Sequence, residues 1–208
     1  IKPESALEIY NFIRTNPRKK ILELGTGIGC STAIIDLALQ KAGQTDYEIH
    51  TIEQFPKCYE LAQKFIPEDF RKKTTFHQID SKIWRHPELP YDHFMNFESL
   101  PEGDWDMILV DGPGPISLEN KLIELPNGDV MKMLMENRLK PETLILWDGR
   151  ITALKLLQRY YESNFYLNYA GEGNNFNAIE RKDNPVLFED MNFRHMKDTG
   201  YFTELPSK

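Results

Sequence analysis

Five stretches of the chain hold residues that could do chemistry together, and each follows an apolar run. They are Glu23-Leu24-Gly25-Thr26-Gly27-Ile28-Gly29, Glu53-Gln54, Asp80-Ser81, Asp111-Gly112-Pro113-Gly114-Pro115 and Asp148-Gly149. Glycines after a strand permit a tight turn and let a ligand touch backbone, and the helix that follows offers free N–H groups. A dinucleotide loop needs G-x-G-x-x-G. That spacing calls for glycine at position 30, where this chain has Cys30 with Gly29 before it, so it does not suit a pyrophosphate. A carboxylate at Glu53 offers two oxygens to the two hydroxyls of a ribose. Asp80, with Ser81, is placed to meet an exocyclic amine. Asp111 and Asp148 end strands expected to be neighbours, so they can converge on one pocket. Two close carboxylates repel unless a proton or a cation sits between them, and hard oxygens suit Mg²⁺ or Ca²⁺. The plain alternative for each acid is that it accepts N–H bonds within its own turn.

These residues need elements to position them. Lys20 to Leu24, Glu48 to Glu53, Thr74 to Ile79, Asp106 to Val110 and Thr143 to Trp147 read as buried strands. Helical spacing marks Pro3 to Ile13, with Ala6, Ile9 and Ile13 on one face. It also marks Ser31 to Lys41, where Ser31 or Thr32 is the expected cap. Pro56 to Ile66 is a further helix, with Cys58, Leu61, Ala62 and Phe65 on one side. Asp129 to Leu139 is Met-rich and stopped by Pro141, and Arg150 to Tyr161 is the last helix. Strands alternating with helices predict a parallel sheet in a doubly wound α/β sandwich. Phe165 to Tyr169 and Phe176 to Glu180 are strands whose short connection makes them antiparallel. Lys82 to Asp104 and Asn184 to Lys208 are expected to be loops over a substrate pocket, or a partner surface.

The bulk numbers set limits. With 208 residues, 40% of them hydrophobic, the chain supports one domain with a full core. The core is expected at about 1–181, and 182–208 as an extension. The charged fraction is 27% and the mean hydropathy -0.52, as in an ordinary soluble protein. A formal net charge of -7 argues against a nucleic-acid or anionic-membrane partner. No apolar run reaches the roughly 20 residues of a membrane span. The chain opens at Ile1 without a secretory pattern and is expected to be trimmed. Cys30 and Cys58 have no metal-ligand spacing, so reduced thiols and a cytoplasmic setting are expected.

The run Ile21 to Thr32 resembles motif I of class I S-adenosylmethionine-dependent methyltransferases. The likeness continues through Thr51-Ile52-Glu53, Ile79-Asp80-Ser81, Met107 to Gly112 and Leu144 to Asp148. It implies a Rossmann-like sheet of seven strands with the last antiparallel, and S-adenosylmethionine as cofactor. The implied cofactor set is Glu23, Gly25, Thr26, Gly27, Gly29 and Ser31, then Glu53, Gln54, Asp80, Ser81 and Asp111. The glycine loop takes the methionine end, Glu53 the ribose and Asp80 the adenine. Within that class, Gly-Thr-Gly-Ile-Gly-x-Ser-Thr and the paired Asp-Gly ends are most similar to the catechol-type, metal-dependent O-methyltransferases. Their metal site makes Asp111 and Asp148 the implied catalytic and metal-binding residues, with Mg²⁺ or another divalent cation. Gly149 departs from the second acid or amide of that site. Gly114 stands where the family has a lysine base, and Lys121 is a candidate substitute. The implied activity is methyl transfer to oxygen of a small molecule, with no nucleic-acid or membrane partner and a homodimer as one option. A non-catalytic cofactor-binding or partner-binding module is the alternative. RNA 2′-O-methylation needs a Lys-Asp-Lys-Glu set, of which Asp111 and Glu180 supply two members.

Overall fold

The computed structural model describes residues 3–85, 94–118, 121–123, 125–140, 143–148, 165–168 and 176–181. The expected helix from Arg150 to Tyr161, the connection 171–175 and the tail from Asn184 lie outside the described residues.

Strands β1 (Lys20–Leu24), β2 (Glu48–Glu53), β3 (Thr74–Gln78), β6 (Met107–Val110) and β9 (Leu144–Asp148) form a parallel sheet in the order β9-β6-β1-β2-β3. β1, β2, β6 and β9 carry the core, with Ile21, Leu22, Leu24, Ile49, Ile52, Ile108, Val110 and Leu144 all fully enclosed, whereas β3 at the sheet edge is half-buried or exposed. Helix α1 (Pro3–Thr15) buries Ile9 and Ile13 at the expected spacing and packs on α2 (Cys30–Lys41), which buries Ile35, Ala38 and Leu39. Helix α3 (Pro56–Phe65) buries Ala62 but leaves Phe65 exposed, contrary to the face expected of it. A short helix α4 (Glu68–Arg71) precedes β3. Strands β10 (Phe165–Asn168) and β11 (Phe176–Arg181) pair antiparallel, and β11 runs antiparallel to β9. No helix among the described residues is long and apolar enough to cross a membrane.

Three local expectations are corrected. The cap of α2 is Gly29 in a left-handed conformation, with no side-chain cap. Ser31 and Thr32 are buried, and the Thr32 hydroxyl donates to Glu23 instead. The stretch from Lys82 is also not all loop. Strands β4 (Ser81–Trp84) and β5 (Phe94–Phe97) pair antiparallel, and Phe94 and Phe97 join the main core. Phe94 and Phe97 are core-forming rather than pocket-lining, two roles that period alone does not separate. Residues 86–93 lie outside the description. Finally, α5 (Asp129–Met135) stops before Leu139. Asn137 turns left-handed at φ 53, and the Asn137 and Arg138 N–H groups donate back to Leu134 and Met133. A left-handed residue closes a helix before any proline is needed. A second small ribbon, β7 (Ile116–Leu118) with β8 (Lys121–Ile123), was not expected.

Candidate functional site

The sheet register brings the sequence-predicted residues to one edge. Leu24 lies level with Ile52 on one side and Val110 on the other. Glu53 ends β2 level with Gln78, and Val110 is level with Trp147. The glycine loop, Glu53, Asp80, Asp111 and Asp148 therefore follow neighbouring strands at their carboxyl ends, the usual ligand edge of such a sheet. Asp111 and Asp148 are one residue beyond a registered pair, as expected of neighbouring strands. The Asp148 and Lys121 side chains lie outside the description.

The glycines of the loop have different reasons. Gly25 sits at φ +103, and a Cβ there would lie 2.6 Å from the Gly112 nitrogen. A Cβ on Gly112 would in turn lie 2.7 Å from the Gly25 Cα. The donor loop and the Asp111 turn thus touch backbone to backbone, and the Asp111 N–H donates to Leu24. Gly29, at φ +90, is shut in by Ile66, whose Cδ1 would stand 2.4 Å from an added Cβ. Gly27, at φ +54, faces nothing within 4 Å. Of the three, Gly27 is the one with open space beside its Cα.

Under the loop lies a buried carboxylate. Glu23 Oε2 accepts hydrogen bonds from Thr32 at 2.5 Å and Thr51 at 2.6 Å. Thr26 joins through its hydroxyl, 2.5 Å from that of Thr51. Thr26 and Ser31 thus face the core with their side chains and can reach a ligand only through backbone. Burial pushes the Glu23 carboxyl above its ordinary range, against the hydroxyls of Ser31, Thr32 and Thr51, which pull it down. Glu23 Oε1 has no hydrogen-bond partner among the described residues.

Glu53 is 5% exposed and tied down twice. The Gly27 N–H donates to Oε2 at 2.7 Å, and the Phe55 N–H donates to Oε1 at 2.8 Å. Each oxygen keeps lone-pair capacity for a further donor. Burial raises its pKa, opposed by those N–H donors. Gln54 donates from Nε2 to the Gly114 carbonyl at 3.3 Å, while its buried Oε1 lacks a partner among the described residues. Since β1 lies between β2 and β6, this bond crosses above the end of β1. Phe55 is 43% exposed, and its ring edge would lie 3.0 Å from a Cβ at Gly114. Asp80 is exposed; Gln78 donates to it at 3.5 Å, and its carbonyl accepts from the Glu98 N–H at 2.8 Å. Ser81 opens β4 and is half-buried.

These groups fit S-adenosylmethionine in kind. Its ammonium, ribose hydroxyls and adenine amine are donors, and the edge presents acceptors with spare capacity in Gln54 and Glu53, while Glu23 is fully enclosed beneath the loop. Among the described residues no group of three or more His, Cys, Asp or Glu side chains is arranged to hold a metal. A shallow basin of about 510 Å³ lined by Lys20, Glu102, Gly103, Asp104 and Arg138 lies at the opposite, amino end of β1. It is remote from all of these residues.

Asn127 and Asp129 were missed by sequence reasoning. Both are 1% exposed and hydrogen-bonded beneath the Asp111 turn. The only signal was the Asn-Gly-Asp string before α5, which reads as an ordinary turn.

The family model "Protein-L-isoaspartate(D-aspartate) O-methyltransferase (PCMT)" matches residues 3–100. No curated protein matches the sequence. Among solved structures, the fold is similar to the O-methyltransferase TomG of Streptomyces achromogenes, involved in tomaymycin synthesis and solved with S-adenosylmethionine. The TM-score is 0.54 at 15% identity, covering 86% of this chain and 78% of that one. The methyltransferase PaMTH1 of Podospora anserina, bound to S-adenosylhomocysteine, gives 0.51 at 16% identity, covering 86% and 78%. An O-methyltransferase of Bacillus cereus with S-adenosylhomocysteine gives 0.52 at 13%, covering 86% and 80%.

Proposed function

Taking the chain as the class I S-adenosylmethionine-dependent methyltransferase that its sequence match and fold indicate, we propose that it transfers the methyl group to oxygen of a small-molecule acceptor. The observation that carries this reading is the contact of Gly25 with Gly112, which seats Asp111 beside the donor loop. The sulfonium brings an activated methyl group, so the protein must align a nucleophile with the S–CH₃ bond and keep it deprotonated. In this reading Gly27 and Glu53 hold the donor, Gln54, Asp80 and Ser81 face the adenosine, and Glu23 steadies the loop from beneath. For a hydroxyl acceptor without a metal, Asp111 would orient the hydroxyl and take its proton. If a divalent cation serves this enzyme, Asp111 and Asp148 would hold it, and it would lower the acceptor's pKa. The sheet of seven strands, completed by β11 against β9, belongs to the same reading.

One observation favours a carboxylate as the acceptor oxygen. Position 114 is glycine and carries no base, and the Phe55 ring stands 3.0 Å from where a Cβ there would lie. A carboxylate is ionised at neutral pH and needs no base. The matched family is named for methylation of such a group, on isoaspartyl residues of proteins.

Calorimetry with S-adenosylhomocysteine tests the donor half, and saturable binding is expected. Methyl transfer from labelled S-adenosylmethionine to a panel of phenols, and to peptides bearing free or isoaspartyl carboxylates, then separates the acceptors. Asp111→Ala with Asp148→Ala is expected to abolish transfer. An EDTA response present in wild type and lost in that pair supports the cation; unchanged activity and response rule it out.

A further inference from the structure

A turn before a helix ordinarily caps its own helix, but the polar side chains at the start of α5 reach further. Gly128 is the N-cap residue, and Asn127 Oδ1 accepts the first helical N–H, that of Asp129. The Asp129 carboxylate reaches back to β5, accepting from the Phe97 N–H at 3.2 and 3.3 Å. It also accepts from Asn127 Nδ2 at 2.9 Å, while its own N–H donates to Asn127 Oδ1 at 3.0 Å. The same Asn127 Nδ2 donates to the Gly112 carbonyl at 2.8 Å. Two buried polar side chains are costly unless bonded, so this set is stable in one arrangement.

We propose that Asn127 and Asp129 are positioning residues for methyl transfer: through the Gly112 carbonyl they fix the turn that carries Asp111 and backs the donor loop at Gly25. The pair stands outside the strand-end residues that meet donor or acceptor, and the inference rests on the donor reading above. Gly112 and Gly25 are in backbone contact with no side chain to absorb a shift. A displacement of a few tenths of an ångström at Gly112 is therefore passed to the loop, because packed interiors transmit strain. Asn127 serves both halves of the site at once: its amide holds the acceptor-side turn, and the turn holds the loop.

The test is the affinity of the full chain for S-adenosylhomocysteine, set beside thermal stability. Asn127→Ala is expected to weaken binding by about tenfold, as loss of one buried hydrogen bond predicts. Val130→Ala, a buried neighbour on α5, is the control: at a matched loss of Tm, binding should stay within about twofold. Asp129→Asn keeps an acceptor oxygen for Asn127 and should retain most of the affinity that Asp129→Ala loses. Should Asn127→Ala fail to fold, Asn127→Ser, too short to span both acceptors, carries the same expectation. Wild-type affinity in Asn127→Ala, or a drop equal to that of Val130→Ala, overturns the proposal. Absence of binding by the wild type overturns the donor reading and this inference with it; wild-type binding with an indifferent Asn127→Ala overturns the inference alone.

Discussion

The ends of β1 and β2 and the ends of β6 and β9 stand side by side on one sheet edge, yet they are held in different ways. On the β1–β2 side, Glu53 is fixed by the N–H of Phe55 just after it and by that of Gly27 in the loop after the neighbouring β1, and Glu23 by threonines of the same βαβ unit. On the β6–β9 side, Asp111 sits in a turn supported from separate units: Gly25 and Gln54 reach it from the loops after β1 and β2, and Asn127 from the turn before α5. The family match spans residues 3–100 and so stops before β6. The contacts that hold Glu23 and Glu53 thus lie inside the matched segment, while those that hold the Asp111 turn reach outside it.

Substitutions can break or sharpen that contrast. The largest effect is expected at the seam. Gly25→Val would meet Gly112 backbone and adopt a left-handed conformation, costing about 4 kcal/mol or more. Urea unfolding should show that loss, with S-adenosylhomocysteine binding abolished in whatever still folds.

Next comes a pH effect read at Asp129. Burial raises the Asp129 carboxyl to about 7, against the donors Phe97 and Asn127, the Lys132 charge and Asn96. A raised folded pKa means that stability from this group is complete below the unfolded value of 3.8 and is lost as pH rises through about 7. Wild-type stability should thus fall by about 4 kcal/mol between those limits, and Asp129→Asn should flatten that slope. Glu23, also raised by burial, contributes in the same direction and survives in the variant as a residual slope. An Asp129→Asn profile that matched wild type would remove Asp129 as the source.

Smaller still is the split between the two sides. Glu53→Ala should weaken S-adenosylhomocysteine by about tenfold, whereas Asp111→Ala should change it by about threefold and act mainly on the rate of transfer. Equal effects on binding would erase the distinction. The smallest stability change belongs to Gly27→Ala. With open space around it, only the left-handed conformation costs, about 1 kcal/mol by thermal unfolding. Its loss of ligand affinity should exceed that figure, since the new methyl enters the side facing the ligand.

Legibility in the sequence followed the same division. Strand ends were readable because apolar runs of five or six residues stop at glycine or acid, as at Leu24, Glu53 and Val110. Those ends placed Glu53 and Asp111 without tertiary information. What failed depended on which neighbour a side chain chooses. Thr32 has the chemistry of a helix cap, but a buried carboxylate one strand away takes its hydroxyl. Phe94 and Phe97 carry no period that separates core from pocket. Asn127 reads as turn chemistry until the fold sets Gly112 above it.

The seam at Gly25 and Gly112 has a consequence for redesign. Both partners are already the smallest residue, so neither position can shrink to make room for growth at the other. A variant library aimed at new acceptors should hold this pair constant and diversify beyond it, where Gly114 meets only the movable ring of Phe55 and the end of Gln54. Enlarging 114 together with trimming 55 is the exchange that this geometry leaves open.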